Sequence, residues 1–351
     1  MALPAEALII FMSNNPWLTG GQKINEEVKK NIRIGTRESQ LAVWQATQVK
    51  DLLSQYGFPS ELVYIKSEGD IDLKTPLYEM GVHGIFTRSL DVALLNNKID
   101  VAVHSMKDVP TQLPEGIIQA SVLERGPVND LLVFKGEWSE LSSELEYIDG
   151  RWRTTDLLST AHSSLSIATS SLRRKAQWLN KYPHHKIHNL RGNVNTRLRK
   201  LSEENWDAAI FAQAGLERID LRPENSKVID WMLPAPAQGA IMIVCRKDDH
   251  YTSEACRNFN DETTALCTKT ERDFLRTLLG GCSTPISALA IIKNNMLHFK
   301  GNILSLDGGK KAEVEKTVAI HEADKCGNAA ALELLINGGK EITEEIRNAA
   351  K

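Results

Sequence analysis

The chain has 351 residues, 42% of them hydrophobic and 25% charged, enough apolar material for two or three packed domains. Its 42 basic and 45 acidic residues give a formal net charge of −3, so no global basic field draws it to nucleic acid and any anion site must be a local cluster. No apolar run approaches the roughly 20 residues of a membrane span, and the five cysteines (Cys245, Cys256, Cys267, Cys282 and Cys326) form no CxxC pair or metal-type spacing, the pattern of reduced cytosolic thiols.

Residues 1–30 read as an extension ahead of the folded part. Its apolar stretch, residues 7–12, is short, follows Glu6 and lacks a basic flank, so it matches neither a signal peptide nor an Arg-rich transit peptide. From Asn31 onward strands and helices alternate. Residues 31–35 pattern as a strand, and Thr36 is placed to cap a helix running to about Tyr56, with Leu41, Val49, Leu52 and Leu53 on its buried face. Residues 61–67 predict a second strand and 87–96 a second helix. A third strand over 99–103 runs directly into the polar His104-Ser105-Met106-Lys107-Asp108. This succession predicts βαβ units around a largely parallel sheet.

A second set follows, with strands over 130–134, 165–169, 186–190 and 208–212 and helices beginning at Ser171, Asn193 and Gly215. The polar stretch between Lys135 and Ser164 reads as a surface excursion. Residues 238–246 form one more apolar strand, late enough to return to the first sheet. Beyond Asp261 a long amphipathic helix (263–279) leads into the loop Gly280-Gly281-Cys282-Ser283-Thr284-Pro285. Two strands around Asn294-Asn295, a third over 314–320 and two terminal helices then make a small α+β unit.

The polar residues cluster where chemistry is expected, since open α/β sheets bind ligands beyond the carboxyl ends of their strands. His104, Ser105, Lys107 and Asp108 lie at one such end and Ser170, Ser171, Arg173 and Arg174 at another. Ser170-Ser171 opens a helix whose free N–H groups and dipole favour an anion, and the two arginines add planar donor forks. The plain alternative is a pair of arginines on a solvated helix face. In Arg191-Gly192-Asn193-Val194-Asn195-Thr196-Arg197, Gly192 permits close backbone approach and Asn193 can cap the helix that carries Arg197 and Arg199. No aromatic residue interleaves these arginines for base stacking, so small polycarboxylates fit better than nucleic acid. Arg37, at another strand-to-helix turn, adds a further cation.

Asp108 is the only acid immediately surrounded by these groups. It is ionised unless desolvation wins, and it can protonate a leaving amine or stabilise a developing cation; a Lys–Asp surface pair is the alternative. Free cysteines are usually small buried hydrophobes. Cys282 differs in following two glycines that end a helix, which places its thiol on a loop. Such a thiol beside a cationic cleft with one carboxylate suggests a covalently tethered anionic group.

These motifs resemble those of the porphobilinogen deaminase family, also called hydroxymethylbilane synthases. The resemblance runs from about Asn31 to the C-terminus. It rests on Arg33-Ile34-Gly35-Thr36-Arg37, Val103-His104-Ser105-Met106-Lys107-Asp108-Val109-Pro110, residues 169–174 and 191–198, Gln238-Gly239-Ala240 and residues 280–285. It implies an α/β fold of two periplasmic-binding-protein-like lobes with mainly parallel sheets, plus a small α+β C-terminal domain. The implied boundaries are 31–123 with 240–258 for the first lobe, 124–239 for the second and 259–351 for the third domain.

The implied reaction joins four porphobilinogen molecules head to tail with loss of ammonia at each step. The product is the linear tetrapyrrole hydroxymethylbilane of haem biosynthesis, built on a dipyrromethane cofactor held by a thioether to Cys282. By the same resemblance Asp108 is catalytic. Lys107, Ser105, Thr169, Ser171, Arg173, Arg174, Arg191, Gly192 and Asn193 hold the cofactor, and Arg37, Ser39, Arg197, Arg218 and Gln238 bind substrate. No metal is expected. The only expected partner is the small-molecule substrate, with no nucleic acid and no membrane, and the chain is expected to be a cytoplasmic monomer.

The chain also departs from the family pattern. Glu79 and His83 stand at positions that are basic in many members, in a loop over the cleft before Ile85-Phe86. Pro236-Ala237 replaces a common Val-Gly pair and would stiffen an interdomain crossing. Residues 135–164 look longer than usual. A non-catalytic two-lobed carboxylate-binding protein is the alternative function; it explains the arginines but neither the Cys282 loop nor Asp108.

Overall fold

The computed structural model describes residues 29–66, 87–136, 145–148, 151–154, 164–278 and 284–349. The expectations placed on residues 1–28, Glu79, His83, Cys282 and much of the 135–164 excursion lie outside the described residues. Asn31–Lys351 hold together as one unit.

In chain order the elements begin with β1 (Ile32–Thr36), α1 (Gln40–Gln55), β2 (Ser60–Tyr64), α2 (Arg88–Leu95), β3 (Val101–Ser105) and β4 (Ile117–Val122). Then come β5 (Asp130–Phe134), β6 (Leu145–Ile148), β7 (Arg151–Thr154), β8 (Ser166–Ala168), α3 (Leu172–Lys181) and β9 (Lys186–His188). They are followed by α4 (Val194–Glu203), β10 (Ala208–Ala212), α5 (Gln213–Glu217), β11 (Ser226–Ile229), β12 (Ile241–Arg246) and α6 (His250–Arg257). The chain ends with α7 (Glu262–Thr277), β13 (Ile286–Lys293), β14 (Met296–Leu304), β15 (Lys311–Ala319), α8 (Ala323–Leu334) and α9 (Lys340–Ala349). Among the described residues no helix is long and apolar enough to cross a membrane.

Two five-stranded sheets repeat one plan. The first runs β2-β1-β3-β12-β4 and the second β9-β8-β10-β5-β11. In each, three strands connected by helices pair in parallel, which is the βαβ block that the alternation predicts. The fourth strand of each enters antiparallel and brings a fifth with it. β12 reaches the first sheet only after the second is complete, while β5 joins the second as soon as the chain has left the first. This exchange gives two lobes joined by two crossings, the architecture that the resemblance implied. Both faces of the second sheet are covered, so Leu131, Leu132, Val133 and Phe134 are all buried along β5.

The third sheet, β13-β14-β15, is an antiparallel meander. Its core is Leu297 and Phe299 packed with Phe274 of α7 and with Ala330 and Leu334 of α8. Phe274 and Phe299 meet edge to face at 5.1 Å.

Local differences from the expected elements have local causes. Thr36 remains the buried last residue of β1, and Ser39 caps α1 instead, its Oγ accepting from Ala42 N at 3.4 Å. The later start leaves Leu41 and Leu52 half-buried and puts Gln45 and Ala46 on the buried face with Val49 and Leu53. β4 and β11, which the alternation did not single out, are edge strands with only partly buried patterns.

The two crossings touch. Gly126 N donates to Gly239 O at 3.1 Å, and at Gly239 (φ +88°) a Cβ would stand 2.6 Å from Gly126 O, so only glycine fits there. Beneath them lies Glu271 of α7, with no solvent exposure. Its carboxylate accepts from Arg125 Nη1 and Nη2 (2.6 and 2.9 Å), from Ala237 N (2.6 Å) and from Ala290 N of β13 (2.7 Å). The N–H of Ala237 is thereby held although its φ of +61° is costly for a residue with a Cβ. Removing one partner of a buried pair strands the other charge, so Glu271→Ala is expected to lose roughly 3–5 kcal/mol of stability. A chemical-denaturation midpoint close to that of the parent would contradict this role.

Candidate active site

β3 delivers its last residue, Ser105, to the cleft, and a single 3₁₀ turn over Met106–Asp108 follows. Met106 and Val109 are buried on either side of this turn, which leaves Lys107 half-buried and Asp108 exposed. Gln45 of α1 donates to Ser105 Oγ at 2.9 Å and fixes the entry to the turn. On the facing lobe, Asn193 caps α4 by accepting from Thr196 N at 2.9 Å. Gly192 (φ +116°) would place a Cβ 2.6 Å from Thr196 Cγ2, so glycine is required. Its carbonyl accepts from Arg197 Nε at 2.7 Å and orients that side chain. Arg218 donates to Gly239 O at 2.6 Å, and its guanidinium carbon lies 5.7 Å from the Trp44 ring centre, a cation–π contact between the lobes.

One cleft takes in Arg37, Ser39, Ser105, Lys107 and Asp108 from the first lobe. From the second it takes Arg174, Arg191, Gly192, Asn193, Arg197 and Arg218, with Gln238 at the crossing. Among its described lining residues there are six cations and one carboxylate, Asp108. Thr169, Ser171 and Arg173 are not part of that wall. Thr169 Oγ1 accepts from Ser171 N at 3.2 Å, Ser171 caps α3 by accepting from Arg174 N at 3.4 Å, and Arg173 is buried. Cys282 lies outside the described residues. The other four cysteines are buried free thiols, and burial raises the pKa of each, which makes them poor nucleophiles.

The expectation that Arg173 and Arg174 offer open forks needs correcting. Both are committed to Asp130, the fully buried first residue of β5. Arg173 Nη2 meets Asp130 Oδ2 at 2.7 Å, and Arg174 meets Oδ1 through Nε at 3.1 Å and Nη2 at 2.8 Å. Arg173 Nη1 also donates to Leu233 O and Arg174 Nη1 to Ile210 O. Gln238, expected to bind substrate, is likewise turned inward, donating to Val128 O at 2.6 Å and Asp130 Oδ1 at 2.9 Å. Asp108 is therefore not the only acid among these cations. Asp130 was missed because an acid opening an apolar strand reads as the strand's polar end. Gln45 was missed because nothing marks one polar residue on a helix face as inward-pointing.

The electrostatics follow from burial and crowding. Burial alone would raise the Asp130 pKa, but Arg173 and Arg174 pull it down to about 2. Lys107 is lowered to about 8 by burial, partly offset by Asp108 and reinforced by Arg174. Arg197 is lowered to about 10 by burial and by Arg174 and Arg191, yet stays charged at neutral pH. Among the described residues it makes no ion pair with a carboxylate, and an incoming carboxylate would restore the lost stabilisation.

These donors fit a carboxylate-rich group such as a dipyrromethane, and the buried Nε2 of His104, in the same wall, has no hydrogen-bond partner. Burial and then the charge of Arg37 lower His104 from 6.5 to about 4, so it is neutral at pH 7. A folded-state pKa below the unfolded one means that the unfolded chain binds the proton more readily. The stability tied to neutral His104 is thus complete above pH 6.5 and is lost as pH falls towards 4, by about 3 kcal/mol in total. His104→Gln is expected to flatten the fall of the unfolding midpoint across that window; an unchanged slope would contradict the assignment.

Comparison with known proteins gives the family. The family described as "Porphobilinogen deaminase, dipyromethane cofactor binding domain" matches residues 32–254, and "Porphobilinogen deaminase, C-terminal domain" matches 265–336. The porphobilinogen deaminase of Chloroherpeton thalassium is 39% identical over 329 residues, covering 91% of this chain and 99% of its own. The probable porphobilinogen deaminase of Methanocaldococcus jannaschii is 40% identical over 321 residues, covering 90% of this chain and 100% of its own. The porphobilinogen deaminase of Geobacter metallireducens is 39% identical over 321 residues, covering 90% and 95% respectively. This chain therefore belongs to the porphobilinogen deaminase family, the hydroxymethylbilane synthases, which carry a dipyrromethane cofactor.

Proposed function

We propose that this chain condenses four porphobilinogen molecules into hydroxymethylbilane with Asp108 as its catalytic acid and the cleft cations as carboxylate holders. The observation that carries the reading is that, among the described lining residues, Asp108 is the one exposed carboxylate in a wall otherwise charged by Arg37, Lys107, Arg174, Arg191, Arg197 and Arg218. Each pyrrole unit brings an acetate and a propionate, so a growing chain adds two negative charges per ring. Preorganised cations hold those charges without reorganising at each cycle. When bound through Cys282, the dipyrromethane supplies the ring to which incoming units are joined.

Ser105, Lys107, Arg174, Arg191, Gly192 and Asn193 line the cleft and hold that group in this reading, while Arg37, Arg197 and Arg218, lining the same cleft, meet the incoming substrate. Thr169, Ser171, Arg173 and Gln238 act one step back, by fixing Arg174 and Asp130. Ser39 serves both as helix cap and as part of the wall. Loss of ammonia requires a proton at the amine nitrogen and leaves positive charge on the carbon framework. Asp108 can deliver the one and, once ionised, stabilise the other. A passive carboxylate binder would have no use for an acid at this position.

The reading extends to organisation. The first lobe takes residues 31–123 and 240–258, the second 124–239 and the third domain 259–351, each with one of the three larger sheets. The chain works as a cytoplasmic monomer on a small-molecule substrate.

Two sets of variants test the roles. Asp108→Ala is expected to keep its covalent group while ammonia release from porphobilinogen falls roughly 10²–10⁴-fold; a near-normal rate removes Asp108 from the mechanism. Arg191→Ala and Arg197→Ala are expected to raise KM or stall elongation, because carboxylates lose paired donors. Unchanged kinetics in both would make these arginines structural.

A further inference from the structure

The turn that carries Asp108 is held from below by a residue outside the cleft. Arg272 of α7 is only 9% exposed, and its guanidinium points at main-chain carbonyls. Nη1 donates to Val109 O at 2.9 Å and, more weakly, to Met106 O at 3.4 Å; Nη2 donates to Pro110 O at 2.6 Å. These three acceptors bracket Lys107 and Asp108. The turn itself is a single 3₁₀ turn closed by Val109 N to Met106 O at 3.1 Å, and so short a helix has little intrinsic stability. Its inward-facing carbonyls need donors in a buried setting. A planar fork with several N–H groups can serve them together, whereas a lysine ammonium on a flexible stem is a less well-oriented substitute.

The neighbouring position makes the placement more than local packing. Glu271, the preceding residue, holds Arg125 and Ala237 of the two crossings. Consecutive residues of α7 therefore grip the interlobe crossings and the Asp108 turn. The same helix ends at Thr277, five residues before Cys282.

We propose that Arg272 is a positioning residue, clamping residues 106–110 so that the Asp108 carboxylate keeps its place relative to the group attached beyond α7. The inference rests on the proposed role of Asp108. Arg272 itself touches neither substrate nor reacting atoms. It ties the turn that carries the acid to α7 of the third domain.

The test compares Arg272→Met and Arg272→Lys with the parent, all as cofactor-loaded enzyme with loading read by intact mass. Steady-state kinetics with porphobilinogen are combined with hydrogen exchange over residues 104–112. The clamp predicts faster exchange at Val109 in Arg272→Met, and kcat per loaded molecule lower by roughly 10–100-fold, since small misplacements of a catalytic group are costly. KM should stay within about threefold because the carboxylate holders are untouched. Arg272→Lys should fall between the two.

Unchanged exchange at Val109 overturns the clamp. So does faster exchange with an unchanged kcat, or a lowered unfolding midpoint with an unchanged kcat. If Arg272→Met does not accumulate, Arg272→Lys decides alone: reduced kcat at preserved KM supports the proposal, and parental kcat overturns it. A fully active Asp108→Ala enzyme would instead overturn the underlying role of Asp108, while the exchange measurement still reports on the clamp.

Discussion

Much of this structure depends on one buried carboxylate. Glu271 has no contact with solvent, yet it accepts from the first crossing, the second crossing and the third sheet. A buried ion pair by itself gives weak stability, because desolvation offsets the Coulomb gain. Here the two additional main-chain donors change the balance, and the geometry specifies how three sheets meet. The position of the crossings fixes the mouth of the cleft, since Gln238 and Gly239 lie on one of them. Arg218 reaches back to the same segment, and its contact with Trp44 links the lobes.

The cleft follows a second electrostatic rule. Among the described lining residues, six cations with one carboxylate would repel one another and weaken the fold unless some were compensated. Asp130 supplies that compensation for Arg173 and Arg174 out of sight of solvent, which leaves Arg174 rigid at the wall. Burial first, with the neighbouring arginines adding to it, depresses the pKa values of Lys107 and Arg197. The cation-lined cleft and the buried acids behind it are thus two sides of one charge distribution.

The alternation of strands and helices was legible because both lobes are built from βαβ blocks, whose apolar runs and turns are strong local signals. The strand that returns to the first sheet was visible, as residues 238–246 read as a strand able to return. The polar motifs that end a strand, Ser105–Asp108 and Arg191–Arg197, were legible in the sequence, and the structure brings both to one cleft. What stayed hidden is the long-range pairing that decides whether a cation faces the cleft or the core. Arg173 and Arg174 are adjacent in sequence, yet only Arg174 contributes to the wall, and their partner Asp130 lies more than 40 residues away. Glu271 and Arg272 read as polar positions of an amphipathic helix, and only the packing shows one holding the crossings and the other the Asp108 turn.

The central claim is that Cys282 carries the group on which the cleft works. Intact mass of the purified chain beside Cys282→Ser tests it most directly. The account predicts a mass excess equal to two linked porphobilinogen-derived units in the parent, present as purified or after incubation with porphobilinogen, and absent from the variant. A parent that stays unmodified after that incubation, or a variant that carries the same excess, would contradict it.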